Sequence, residues 1–94
     1  MAKREFTDLE LQAQILYSLL MHGKWSEIYT NYDWFKRRIS NVVKNNGKNT
    51  DKQVKSLVKL RYVFYRKNGD TIALNPYMKL SIKQMIHDNL GIDV

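Results

Sequence analysis

Apolar residues recur along this chain at two periods. From Leu9 onward the spacing is helical: Leu9, Ala13, Leu16 and Leu20 form a stripe flanked by Ile15 and Leu19. Thr7-Asp8-Leu9-Glu10 opens that stripe as a capping box, in which the Thr7 side chain accepts from the Glu10 N–H and Glu10 reaches back to the Thr7 N–H. Gly23 is the expected stop. Trp25 to Tyr32 is aromatic-rich and fits either a short turn capped by Ser26 or a short extended piece. Asp33 is the expected N-cap of a second helix, Trp34 to about Lys44. Phe35, Ile39, Val42 and Val43 supply its buried face, and Lys36, Arg37, Arg38 and Lys44 its outer one. Asn45-Asn46-Gly47-Lys48-Asn49 is a turn cluster. Thr50 or Asn49 then caps a third helix from Asp51 to about Leu60. Val54, Leu57, Val58 and Arg61 mark one face of it, and Lys52, Gln53, Lys55, Ser56 and Lys59 the other.

The period then shortens. Tyr62-Val63-Phe64-Tyr65-Arg66 and Thr71-Ile72-Ala73-Leu74 are β-branched and aromatic runs, the signature of strands. Asn68-Gly69 between them predicts a tight hairpin, because that turn needs positive φ at both central residues. Asn75-Pro76 predicts an N-cap followed by proline at the first helical position. The last helix is expected from Tyr77 to about Asn89, with Met78, Ile82, Met85 and Ile86 on one stripe and Gly91 as its stop. The fold class is α+β, mostly α, in one domain over residues 1–94, with a hairpin at about 62–74 and a closing helix at about 76–90.

Composition narrows the class. Ninety-four residues with 44% apolar content suit one small globular core rather than a disordered chain. The absence of cysteine excludes a disulfide scaffold and a zinc-thiolate site. The N-terminal residues lack the apolar segment of a signal peptide, no run approaches the roughly 18 apolar residues of a membrane span, and a cytoplasmic location is expected.

Charge changes the picture most. Of the sixteen Lys/Arg, eleven lie between Asp33 and Lys67, beside only two Asp, whereas the flanking segments are close to neutral. A field concentrated in that way attracts a polyanion, and nucleic acid is the commonest one.

The run Val54-Lys55-Ser56-Leu57-Val58-Lys59-Leu60-Arg61-Tyr62-Val63, followed by Arg66-Lys67-Asn68-Gly69-Asp70-Thr71-Ile72-Ala73-Leu74-Asn75-Pro76, resembles the winged helix-turn-helix superfamily of small DNA-binding regulators. Arg61 stands where that superfamily often has glycine, and the linker Asn45–Asn49 is longer than its tightest turn. The resemblance implies a recognition helix in the major groove of double-stranded DNA, with the wing on the backbone or in the minor groove. It also implies a transcriptional regulator.

The residues argue toward the same partner. Lys52, Lys55 and Lys59 suit guanine acceptors or phosphates, Gln53 suits adenine, and Ser56 is a small hydroxyl beside them. The expected helix N-terminus, Asn49-Thr50-Asp51, offers backbone N–H groups to a phosphate, with Asp51 complementing the helix dipole, and Lys48, Asn49 and Thr50 are candidate contacts there. Arg66, Lys67 and Asn68 form the basic wing tip, and Arg37, Arg38 and Lys44 are candidates for backbone contacts from the preceding helix. Lys3-Arg4 reads as a frayed end more readily than as a groove-reaching arm. Tyr62, Phe64 and Tyr65 are expected to fill core rather than to stack on bases.

His22 and His87 are far apart in sequence, and no nucleophile–base pair or carboxylate dyad is visible, so neither a metal, a cofactor, a small-molecule ligand nor an enzyme is expected. The stripe Met78, Ile82, Met85 and Ile86 packs either on the first helix or against a second chain; the small core favours a homodimer through the first and last helices. The alternative function is an interaction module for a protein partner or RNA in a replication, segregation or transcription assembly.

Overall fold

A computed structural model describes residues 6–21, 30–40, 47–66 and 71–94. Helix α1 spans Asp8–Met21. Its capping box forms as the sequence predicts: the Thr7 N–H donates to Glu10 Oε1 at 3.0 Å, and the Glu10 N–H donates to Thr7 Oγ1 at 3.2 Å. Its buried face is Leu11, Gln12, Ala13, Ile15, Leu16 and Leu19, while Leu9 is 56% exposed. Of the expected apolar face, Ala13, Ile15, Leu16 and Leu19 are buried and Leu20 packs partly buried against the core; Leu9 is the exception, and Leu11 takes the buried place at the start of the helix. Two overlapping apolar stripes exist on this helix, and packing against α3 and α4 selects the one rich in Leu and Ile.

Strand β1, Thr30–Asn31, runs straight into helix α2, Tyr32–Ser40. The cap is Asn31 and not Asp33: Asn31 Oδ1 accepts from the Trp34 N–H at 2.9 Å. The helix therefore starts earlier than expected, and Asp33 sits in its first turn, where a carboxylate complements the helix dipole. Helix α3 spans Gly47–Lys59. Its N-terminus stands at Gly47, so the turn cluster is partly helical; Asn49 and Thr50, the expected caps, and Asp51, the expected first residue, are all interior to the helix. The expected elements at 22–29 and 41–46, including Gly23, Val42, Val43 and Lys44, lie outside the described residues.

Helix α3 ends in a paired set of backbone bonds. The Arg61 N–H donates to Val58 O and the Tyr62 N–H to Leu57 O, both at 3.0 Å. This is a Schellman arrangement, and it requires a left-handed residue at Arg61, whose φ is 64°. Here an arginine occupies a conformation that glycine adopts without steric cost. Arg61 is consequently exposed past the helix end, not on the Val54–Leu57 face.

Strand β2, Val63–Arg66, pairs antiparallel with β3, Thr71–Leu74, from Val63 opposite Leu74 to Arg66 opposite Thr71. That register is the one a two-residue Asn68-Gly69 turn demands; residues 67–70 themselves lie outside the described residues. β1 pairs with the other edge of β3, giving a three-stranded sheet of order β1-β3-β2. Asn75 joins the sheet to the end of α3 and to the last helix. Its Nδ2 donates to Arg61 O at 2.8 Å, its backbone N–H donates to Tyr62 O at 2.9 Å, and its Oδ1 accepts from the Tyr77 N–H at 3.0 Å. A 3₁₀ turn, Pro76–Met78, leads into helix α4, Lys79–Leu90, which stops at Gly91 with φ 68° as the sequence predicts.

The core is one cluster. Leu11, Ile15, Leu16 and Leu19 of α1 meet Phe35 and Ile39 of α2, Val54 and Leu57 of α3, the inward side chains of the sheet, and Ile82 and Ile86 of α4. Ile82 and Ile86 are fully buried within the single chain, and Met78 and Met85 pack partly buried against the same cluster. The expected dimer stripe is therefore monomer core. Burying it on α1 satisfies the apolar surface that the sequence left unassigned.

Candidate nucleic-acid interface

The basic residues of α3 separate by helical angle. At about 100° per residue, Lys52, Lys55 and Lys59 fall within about 60° of one another, with Ser56 beside them. All three lysines are exposed. The Ser56 hydroxyl donates to Lys52 O at 3.2 Å, which leaves its lone pairs to accept. The opposite face, with Val54 and Leu57, is fully buried. The sequence alternation of lysine and aliphatic residues thus produces one cationic ridge above one core-facing side.

Gln53 does not belong to that ridge. It is only 3% exposed, its Oε1 accepts from Gln12 Nε2 at 2.8 Å, and its Nε2 donates to Asn49 Oδ1 at 3.2 Å. Gln53 lies about 100° round the helix from Lys52, toward α1. A buried amide must be hydrogen-bonded, and Gln12 and Asn49 supply both partners. The expected adenine reader is therefore a structural bridge between α1 and α3. Thr50, 1% exposed, is likewise unavailable to a ligand, and Asn49 is half-buried. A signal for this was present: Gln12 shares the spacing of Leu16 and Leu19, and Gln53 stands four residues before Leu57.

The three consecutive cations of α2 take different directions. Lys36 turns to Asp51 of α3, Nζ to Oδ2 at 3.0 Å. The Arg38 guanidinium lies 4.9 Å from the Trp34 ring centroid, over a side chain that is itself 45% exposed. Arg37 is exposed. Asp51 also accepts from the Tyr32 hydroxyl at 2.5 Å, and Tyr32 meets Tyr65 edge-on, with ring centroids 5.9 Å apart. Burial works to raise the Asp51 carboxyl, but hydrogen bonds from Tyr32 and Lys36 and the charges of Lys36 and Lys55 outweigh it and hold the group below the ordinary carboxylate range. Tyr32 is pushed strongly up, first by burial and then by the Asp51 carboxylate. Tyr65 is raised by burial and by the same carboxylate, with its hydrogen-bonding contact to Tyr32 acting against it. Sequence reasoning assigned Asp51 to the helix dipole; its partners come from α2, fifteen and nineteen residues away.

No family model, no curated protein and no solved structure matches this chain. The functional reading therefore rests on the arrangement itself.

Of the remaining expected contacts, Lys48 and Arg66 contribute backbone to α3 and β2, while Lys44, Lys67 and Asn68 lie outside the described residues, as do Lys3, Arg4 and His22. His87 Nε2 lies 3.3 Å from Asp93 and its Nδ1 3.6 Å from Asp88, at the exposed end of α4. Among the described residues no group of three or more His, Cys, Asp or Glu converges on a metal position, and no helix is long and apolar enough to cross a membrane.

Proposed function

We propose that this chain is a winged-helix module that binds double-stranded DNA through the exposed face of α3, and that it acts in transcriptional regulation. The observation that carries the reading is the ridge of Lys52, Lys55 and Lys59, held on one face of a helix whose other face is locked into the core. The order α1, β1, α2, α3, β2, β3, α4, with β1 added to the hairpin, supports the winged architecture. The Schellman turn at Arg61 supports it too, since it ends the helix and leads the chain directly into the hairpin.

Gln53 takes no part in base recognition in this reading. Lys52, Lys55 and Ser56 remain as the base-edge candidates, and Arg38, pre-oriented on Trp34, is the best phosphate contact from α2. The alternative, a module for a protein partner or RNA, draws on the exposed Trp34, because tryptophan and arginine together are typical of interface anchors. Selection of bound fragments from random duplex DNA, run in parallel with a random RNA pool, tests both. Recovery of a duplex motif supports the leading reading. Enrichment from RNA alone, or no binding to either pool at low salt, overturns it.

A further inference from the structure

Among the described residues, Arg61 is the one non-glycine residue with positive φ, at 64°. An L-residue held there carries a steric cost that glycine avoids. Nothing in the backbone calls for arginine. The two Schellman bonds, from the Arg61 N–H to Val58 O and from the Tyr62 N–H to Leu57 O, form equally well around glycine. Arg61 O accepts from Asn75 Nδ2 at 2.8 Å, which also uses only the main chain of Arg61. The helix dipole does not call for it either, since Lys59 already stands in the last turn of α3. The Arg61 side chain is exposed, and among the described residues its guanidinium has no hydrogen-bond or ion-pair partner. Backbone strain kept where the fold gains nothing from it points to function. We infer that Arg61 is a phosphate-binding residue that grips duplex DNA where α3 leads into the hairpin. The inference rests on the reading of α3 as the DNA-binding helix.

The place of Arg61 in the fold fits that role. It follows Lys59 by two residues and precedes Val63, the first residue of β2, by two. Two peptide units keep its Cα within about 8 Å of the Cα atoms of both. It therefore stands between the lysine ridge and the hairpin, the two elements that meet the duplex in that reading. The ridge rises about 10 Å from Lys52 to Lys59, and Arg61 lengthens it toward the hairpin. No Asp or Glu occurs between Asp51 and Asp70, so this segment offers a phosphate no opposing charge of its own. Asp88 of α4 borders the same groove as Leu60 and Tyr62, but its Oδ1 accepts from Gln84 Nε2 at 2.7 Å and it forms no ion pair with Arg61. The base of the arginine is fixed, because Asn75 bonds both Arg61 O and Tyr62 O. From that base a planar guanidinium can meet two phosphate oxygens at once. Such a contact sets register and affinity without reading sequence.

The test is fluorescence anisotropy of the full chain on short duplex DNA across a salt series, with thermal unfolding of each variant. Arg61→Gly and Arg61→Asn remove the charge and keep the left-handed turn, which both new side chains tolerate. Both variants are expected to fold, with Arg61→Gly at least as stable as wild type. Each should weaken binding about eightfold at about 0.1 M salt, on preferred and random duplexes alike. Each should also make the slope of log K against log salt shallower by about 0.9. Arg61→Lys keeps the charge and should keep the wild-type slope. Lys55→Ala reports on the ridge independently. If Lys55→Ala makes the slope shallower while Arg61→Gly and Arg61→Asn leave it unchanged, the inference fails and the reading of α3 stands. A wild-type protein that binds no duplex at low salt overturns both. An Arg61→Gly variant less stable than wild type overturns the inference, because the side chain then serves the fold. So does an Arg61→Lys variant whose slope falls as far as that of Arg61→Gly.

Discussion

Gln12 of α1 donates its side-chain amide to Oε1 of Gln53 on α3 across 2.8 Å, out of contact with solvent. This bond ties the recognition-helix candidate to the first helix. It also removes from the surface the side chain that its place among lysines suggested for reading bases.

The first expected outcome concerns that pair. Gln53→Ala leaves Gln12 without its acceptor in a buried site, and should destabilise the fold by about 1–3 kcal/mol. Affinity for preferred and random duplexes should change alike in the folded protein. Urea denaturation of Gln53→Ala, Gln12→Ala and the double variant checks it. A strongly non-additive double variant is expected, because the two side chains are direct partners. A large loss confined to one preferred DNA sequence would return Gln53 to the interface.

Asp51 carries a pH dependence with a defined sign. Its folded carboxyl is held below the unfolded value, so near and below the ordinary Asp range the unfolded chain binds more protons than the native one. The stabilisation is present above the unfolded pKa and is lost as pH falls through the folded one. Asp51→Asn should therefore flatten the acid side of the stability profile, measured by denaturant midpoints from neutral pH downward. Tyr32→Phe, which removes one of the bonds lowering that pKa, should shift the wild-type acid transition toward higher pH.

For the cationic ridge the observable is salt. If Lys52, Lys55, Lys59 and Arg38 each neutralise a phosphate, log K against log salt should have a slope of about −3 to −4 per chain. Replacing any one of them by Ala should reduce the slope by about one. Lys36→Ala should change it least, because Lys36 is committed to Asp51. Equal effects from all five positions would show that α2 and α3 present no single face.

Helix α4 supplies a test of core against surface. Ile86→Ala is expected to cost about 2–5 kcal/mol, since that side chain is fully buried on the α1 side. Leu80→Ala, at 83% exposure, should leave the stability of the isolated monomer within about 0.5 kcal/mol of wild type. Thermal unfolding at low protein concentration distinguishes them.

Arg61→Gly should stabilise the monomer by about 1 kcal/mol, because it relieves a left-handed backbone at a helix end. Denaturation of dilute protein measures this. A destabilised variant would mean that the arginine side chain makes contacts worth more than the strain.

Several features of the fold were determined by the sequence alone, and each depends on residues close together in the chain. Thr7 and Glu10 cap α1 because their spacing brings both side chains back to the helix start. Val63 faces Leu74 because the two runs flank Asn68-Gly69 symmetrically. Asn75-Pro76 starts the last helical segment and Gly91 stops it, and the concentration of positive charge follows from composition by position. What tertiary structure decided are the cases in which two local solutions compete. Leu9 and Leu11 both head apolar stripes on α1, and only contact with α3 and α4 buried the second. Gln53 sits at the border between the lysine ridge and the Leu57 face, where a partner on α1 turned it inward. Asn31 displaced Asp33 as a cap because β1 runs directly into α2. Lys36 and Asp51, fifteen residues apart, became partners because α2 packs on α3. At a helix-face boundary a side chain can reach either side, and the energy that selects one comes from a neighbour distant in sequence.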